Sequence, residues 1–262
     1  MELRYDGRTA LITGGARGIG YAAARIMSVG GARLVLADIN GEAVERAARK
    51  LEEETGHRVV GVKTDVTSES QVDGLFERAE SLFAGVDILV SSAAILDDKL
   101  FVESQPADWR RMLDVCLYGP MLCLRRALPG MTAKRYGRVV CLASDAARLG
   151  QARLSYYAAA KGGVVALVKS VAQEVGKSGV TLNVVSPGAT NTELRQEREA
   201  QMRAAMGEEK YERRVQTVLR MYPTGRTGEP DDIASMIAFL ASERASWITG
   251  QVISVNGGYA MP

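Results

Sequence analysis

Thr9-Ala10-Leu11-Ile12-Thr13-Gly14-Gly15-Ala16-Arg17-Gly18-Ile19-Gly20 is the stretch on which the fold turns. Thr9–Thr13 is short, aliphatic and β-branched, and reads as a strand. A glycine-rich turn follows at once, and the pattern of Gly18–Gly30 reads as a helix. Strand, turn and helix in this order bring the backbone amides of a helix N-terminus close enough to hold a pyrophosphate. The spacing is G-x-x-x-G-x-G, one glycine displaced from the dinucleotide fingerprint G-x-G-x-x-G. Tight turns also need glycine, so the position directly after a strand is what gives the reading its weight.

Working outward, the same alternation continues along the chain. Further strands are expected at Arg33–Asp38, Val59–Lys63, Ile88–Ser91, Arg138–Ala143, Thr181–Ser186 and Val252–Val255. Helices are expected at Gly41–Thr55, Ser68–Ala84, Pro106–Lys134, Ser155–Ser178 and Pro230–Ala241. Ser68 opens one helix, and Gly30-Gly31 and Lys177-Ser178-Gly179 close others. Right-handed crossovers turn this alternation into an α/β fold: one Rossmann-type, doubly wound parallel sheet of seven strands, ordered 3-2-1-4-5-6-7, with helices on both faces. One domain is expected over residues 1–262. The stretch 189–228 departs from the alternation, being long, charged and poor in aliphatic residues; it reads as a substrate lid with one or two short helices, or as a disordered excursion.

The 262 residues carry 33 basic and 31 acidic side chains, intermixed, for a net charge of +2. No field of one sign is present to recruit nucleic acid or an anionic membrane. No apolar run approaches the roughly 20 residues of a bilayer span, and no export signal is visible, so a cytoplasmic protein is expected. Cys116, Cys123 and Cys141 form no C-x-x-C pair and read as reduced thiols. The one histidine, His57, sits in a polar turn, so no metal site and no Ser-His-Asp hydrolase is expected. A small-molecule partner remains.

The second strand ends in Asp38. A carboxylate there can accept from both hydroxyls of an adenosine ribose and repels a 2′-phosphate, which favours NAD over NADP. Asp38 can instead cap the next helix, and Arg17 in the glycine loop can attract the 2′-phosphate that Asp38 repels. Tyr157 and Lys161 lie four residues apart on one face of a helix. A tyrosine must lose two to three units from its ordinary pKa of about 10 to act as acid and base near neutrality, and a nearby ammonium lowers it. Ser144, at the end of the fifth strand, reaches the same crevice beyond the strand carboxyl ends and can donate to a substrate oxygen. Tyr156 points about 100° away round the helix and suits packing better.

On these residues the chain resembles the short-chain dehydrogenase/reductase family, along essentially its whole length. T-G-x-x-x-G-x-G is Thr13 to Gly20, including Gly14, Arg17, Gly18, Ile19 and Gly20; Y-x-x-x-K is Tyr157 to Lys161; the serine is Ser144. Asp65-Val66 is similar to the family's adenine-contacting pair. Pro187, Gly188 and Thr192, with Thr190 between them, are similar to its nicotinamide segment, and Thr249 to Gly258 matches its closing T-G-x-x-x-x-V-x-G-G. The resemblance implies hydride transfer between a nicotinamide cofactor and an alcohol/ketone pair, with Ser144, Tyr157 and Lys161 catalytic, and a homotetramer built on the helices Pro106–Lys134 and Ser155–Ser178. Ala143–Arg148, Lys161-Gly162-Gly163 and Thr249–Val252 are similar to alicyclic hydroxyacyl-CoA dehydrogenases of the 2-hydroxycyclohexanecarboxyl-CoA type and to 3-oxoacyl carrier-protein reductases. On that branch the arginines of the 189–228 stretch either meet a CoA phosphate or form a solvated face with the glutamates between them.

Two positions depart from the family pattern. Ser91-Ser92-Ala93-Ala94 stands where N-N-A-G is usual, which puts the methyl of Ala94 where the cofactor approaches beside Ser92 and Ala93. Cys116 stands at the catalytic asparagine, the residue said to hold a water linking the lysine to solvent. The thiol either weakens that relay or merely fills space. These departures keep open a cofactor-binding protein without turnover, and the fold by itself also admits a lyase or isomerase.

Overall fold

Five of the seven short strands carry buried residues on both faces, which makes the sheet the middle layer of a three-layer stack. The computed structural model describes residues 3–261 and shows that stack. The strands are β1 (Thr9–Thr13), β2 (Arg33–Asp38), β3 (Val59–Lys63), β4 (Ile88–Ser91), β5 (Gly137–Leu142), β6 (Val180–Pro187) and β7 (Val252–Val255). All pairs are parallel, in the order β3-β2-β1-β4-β5-β6-β7. The expected order and five of the seven strand boundaries hold; β5 starts one residue early, and β6 runs one residue longer at each end.

Because side chains alternate along a strand, each strand feeds two cores. Ala10, Ile12, Leu34 and Leu36 pack beneath α1 (Gly18–Val29), α2 (Gly41–Thr55) and α10 (Pro230–Ala241). Leu11, Val35 and Ala37 pack on the opposite face, against α3 (Glu69–Phe83), α5 (Gly119–Lys134) and α7 (Ser155–Val175). Phe76 of α3 is among the largest side chains fully inside, and truncating such a phenylalanine to alanine costs about 3–5 kcal/mol. Ser68 caps α3 by accepting from the Gln71 amide at 3.4 Å, and Asn40 caps α2 by accepting from the Ala43 amide at 3.0 Å. Capping α2 therefore falls to Asn40, which leaves Asp38 for another role.

The expected single helix Pro106–Lys134 is in fact three pieces: α4 (Pro106–Leu113), a π-helical turn Asp114–Tyr118, and α5. The Gly119 amide donates to the Asp114 carbonyl, one residue further back than in an α-helix. A Cβ on Gly119 would sit 2.9 Å from Cγ2 of Val66, so glycine lets this turn press against the residue after Asp65. The helix Ser155–Ser178 ends as α7 plus a 3₁₀ turn, Gly176–Ser178. A short helix after β5, α6 (Ala146–Leu149), was not expected. Between β6 and α10 lie α8 (Glu193–Met206) and α9 (Glu208–Arg220), neither of which has a buried residue.

Candidate active site

The carboxyl ends of β1, β2, β4, β5 and β6 open into a cleft of about 1220 Å³, larger than the usual pocket for one small ligand. Its first wall is the glycine loop. Gly14 and Gly18 have φ of +65° and +57°, a conformation that side chains disfavour. A Cβ on Gly20 would lie 2.3 Å from the Gly14 carbonyl oxygen, and one on Gly14 would lie 2.9 Å from the Ala93 backbone. The loop and the Ser92-Ala93-Ala94 segment are therefore held backbone to backbone. Thr13 Oγ1 accepts from the amides of Ser92 (3.1 Å) and Ala93 (3.3 Å) and sets their spacing. Ala94 is not among the described non-glycine residues with positive φ, so alanine occupies the family's glycine position without backbone strain. This cradle, which side chains would fill, fits a dinucleotide.

Asp38 lines the cleft at the end of β2 and accepts from the Ala16 amide (3.4 Å) and the Asn40 amide (3.1 Å). Asp65 and Val66 line it beside Thr67, whose amide donates to Asp65 at 2.9 Å. Arg17 lines the cleft in an ion pair with Glu197 of α8. Ile19 lies at the cleft edge.

Ser144 follows β5 by two residues, accepts from the Ala146 amide at 3.3 Å and lines the cleft beside Tyr157. Burial holds the Tyr157 hydroxyl above the ordinary tyrosine range, and Ser144 works against that rise. Lys161 is buried; its ammonium donates to the Leu142 carbonyl at 2.8 Å and lies 5.9 Å from the Tyr157 ring centroid. In this arrangement the Tyr157 hydroxyl is governed by burial and by the neighbouring Cys116, with Ser144 opposing them, in place of the expected downward pull from Lys161. Tyr156 faces the other way, into a small core with Met112, Cys116 and Ala160, and its hydroxyl bonds Asp97.

Cys116 is wholly buried in the π turn, with Sγ 3.7 Å from the Ile95 carbonyl and 3.7 Å from Met112 Sδ. The turn forms with a thiol at its centre, so the distortion does not depend on an asparagine. Pro187, Gly188, Thr190 and Thr192 leave β6 along the cleft. Thr190 Oγ1 donates to the Gly188 carbonyl (3.1 Å), and Thr192 caps α8 through the Arg195 amide (3.3 Å).

Several functional neighbours escaped the sequence reading. Asp145, beside Ser144 and 2% exposed, accepts from Ser186 Oγ (2.7 Å), Ser254 Oγ (3.2 Å) and Asn256 Nδ2, while its amide donates to the Pro187 carbonyl (3.1 Å). It joins the ends of β5, β6 and β7. A lone carboxylate in the small-residue stretch Ala143–Ala147 was the available signal, but nothing in sequence names its partners. Tyr222 and Tyr259 stack at the cleft wall, centroids 5.1 Å apart. Arg198 of α8 donates through Nε to Asp98 at 2.7 Å, and Arg153 pairs with the same carboxylate. Among the described residues no group of three or more metal-ligating side chains comes together.

Comparison with known proteins agrees with this geometry. A family model described as Enoyl-(Acyl carrier protein) reductase matches residues 14–260. A cis-4-hydroxycyclohexanecarboxylate dehydrogenase of Sinomonas cyclohexanicum is 39% identical over 253 residues, 96% of each chain. A 3-oxoacyl-[acyl-carrier-protein] reductase of Aquifex aeolicus (strain VF5) is 34% identical over 261 residues, 98% of this chain and 99% of its own. The crystal structure of levodione reductase superposes with a TM-score of 0.91 at 30% identity, covering 97% of this chain and 98% of that one.

Proposed function

Because the chain belongs to the short-chain dehydrogenase/reductase family and is an oxidoreductase of CH–OH groups, we propose that it interconverts a cyclic secondary alcohol and its ketone, with NAD as cofactor. The observation that carries this reading is the convergence of Ser144, Tyr157 and the buried Lys161 on one cleft, with the Lys161 ammonium held by the Leu142 carbonyl at 2.8 Å. The nicotinamide, when bound, supplies the acceptor for the hydride leaving the carbinol carbon. In oxidation the Tyr157 oxygen takes the alcohol proton, and in reduction it returns it. The Ser144 hydroxyl donates to the substrate oxygen and keeps it beside Tyr157. Lys161, fixed by the Leu142 carbonyl, presents its remaining donors to the nicotinamide ribose. The glycine loop, Asp38, Asp65, Val66, Ser92, Ala93, Ala94 and the Pro187–Thr192 segment hold the dinucleotide.

Asp38 supports NAD. Two backbone amides fix its carboxylate where a 2′-phosphate would meet negative charge, and Arg17 in the glycine loop is engaged by Glu197. The 39% identity to a dehydrogenase of a hydroxylated cyclohexane acid supports the alicyclic skeleton. The second reading is a 3-oxoacyl reductase, favoured by the match to that class along nearly the whole chain. Residues 189–228 act as the substrate lid, and the chain works as a cytoplasmic homotetramer. The exposed apolar side chains Leu113, Tyr118 and Met121 along α4 and α5 support that assembly. No described helix is long and apolar enough to cross a membrane.

The test is NADH formation with a panel of cyclic secondary alcohols and, in reverse, with 3-oxoacyl thioesters. Cyclic alcohols should be oxidised with kcat/KM at least tenfold higher with NAD than with NADP, a difference of about 1.4 kcal/mol. Turnover of no cyclic alcohol sinks the proposal, and turnover of 3-oxoacyl thioesters alone installs the second reading. Equal use of both cofactors would show that Arg17 outweighs Asp38.

A further inference from the structure

The charges of α8 and α9 divide into two sets. Arg203 pairs with Glu208 and Arg213 with Glu209, both on the outside. Arg195, Arg198 and Arg214 instead line the cleft. There, Arg195 and Arg214 share the single carboxylate of Glu199, and Arg198 and Arg153 share that of Asp98. Four guanidiniums thus share two carboxylates around α8. Arg195 and Arg198 lie three residues apart, on one face of α8. Arg195 reaches Glu199 only through Nε, at 3.4 Å, and its Nη1 is buried without a partner. Buried donors are rarely left unpaired in a folded protein. Arg198 spends Nε and Nη2 on Asp98, and its Nη1 makes no hydrogen bond among the described residues.

We infer that Arg198 and Arg195 receive a free carboxylate on the substrate, so that the enzyme acts on a cyclic hydroxy acid and not on its thioester. This rests on the alcohol/ketone reading above. The location separates the two substrate forms. Arg195, Arg198 and Tyr157 line the same cleft. An anion held by the two arginines would share that cleft with the carbinol carbon. A CoA or carrier thioester would place a neutral thioester carbonyl at that spot, with its phosphates at the far end of the pantetheine arm. A guanidinium binds a carboxylate through two parallel hydrogen bonds, and the free Nη1 donors of the two arginines are available for that purpose.

The experiment uses inert ligands, so it does not depend on turnover. Cyclohexanecarboxylate and cyclohexanecarboxamide, nearly isosteric, are titrated calorimetrically into the full chain at neutral pH, with and without NADH. The wild type should bind the acid at least tenfold more tightly than the amide. Arg198→Gln and, separately, Arg195→Gln should each bring that ratio down by at least threefold while leaving NADH affinity within twofold. If one variant fails to fold, the other decides. A purely structural latch between Arg198 and Asp98 would weaken both ligands alike and keep the ratio. A wild-type ratio near one, or a ratio kept in the folded variants, overturns the inference. Failure of the alcohol/ketone reading looks different: acid-selective binding would persist while no cyclic alcohol yields NADH.

Discussion

Tyr157 and Tyr156 are adjacent, chemically identical and opposite in role. Tyr157→Phe should lower kcat by ~10²–10⁴-fold, the usual worth of a positioned acid–base group, with NAD affinity unchanged. Tyr156→Phe, which loses only a bond to Asp97 outside the cleft, should stay within a few-fold of wild type. Steady-state kinetics on both variants check this, and a reversed pattern would show the register of α7 to be misassigned. Burial raises the Tyr157 pKa, so near neutrality the hydroxyl is protonated. Oxidation needs the phenolate, and kcat/KM for the alcohol should therefore climb with pH into the alkaline range. Reduction needs the proton, and its kcat/KM should hold steady until pH passes the ordinary tyrosine value of about 10. Measuring both directions across pH separates the limbs; an oxidation profile already flat at neutral pH would contradict the assignment. At Cys116 the π turn stands without an asparagine, so its carbonyls are presented regardless of that side chain. Cys116→Asn should leave the pH profile of kcat and its solvent isotope effect unchanged within twofold. A rise confined to pH below the oxidation optimum would show that the thiol had weakened the proton relay.

Among the elements, α10 begins on a charged clasp. Asp232 accepts from the Glu229 amide at 2.8 Å and from Arg226 at 2.6 and 2.9 Å, and these hold its carboxyl down at about 2. Asp232→Ala should cost ~0.5–2 kcal/mol as a lost cap, with the ion-pair share muted by solvent. Tm should fall by about 2–4 °C for each kcal/mol. A depressed carboxyl stabilises the fold above its unfolded value of 3.8, and that contribution is lost as pH falls towards 2. The gap between wild type and variant in thermal melts should thus close below pH 4, and a constant gap would rule the clasp out. Elements also mark where the sequence was readable. The glycine loop, Asp38, Ser144, Tyr157 and Lys161 all lie at or near strand ends or on one helix face, so local spacing was enough to place them. The π turn hid because apolar periodicity runs on through one inserted residue. Asp98 and Arg198 hid because they meet across 100 residues of sequence, a distance at which only packing decides partners.

At the scale of the molecule, two regimes of stability meet at the cleft. α7 buries Tyr156, Ala160, Lys161, Val164, Val168 and Ala172, whereas α8 and α9 bury nothing and are tied down by ion pairs. Segments with few apolar contacts open at low free energy. Hydrogen exchange should therefore be faster by orders of magnitude in residues 193–220 than in 156–172, and faster still in ~1 M salt, where screening shortens to about 3 Å. Mass-spectrometric exchange checks both; equal protection of the two segments would mean that more than these ion pairs holds residues 193–220.

Asp145 has a consequence in time as well as in space. It sits beside Ser144, yet two of its three side-chain donors, Ser254 and Asn256, are synthesised more than a hundred residues later. Until β7 docks, the Asp145 carboxylate next to Ser144 has water in place of those two donors, and the ends of β5 and β6 are not yet tied to β7. A chain stopped at Gln251 is therefore expected to form no NADH although Ser144, Tyr157 and Lys161 are all present.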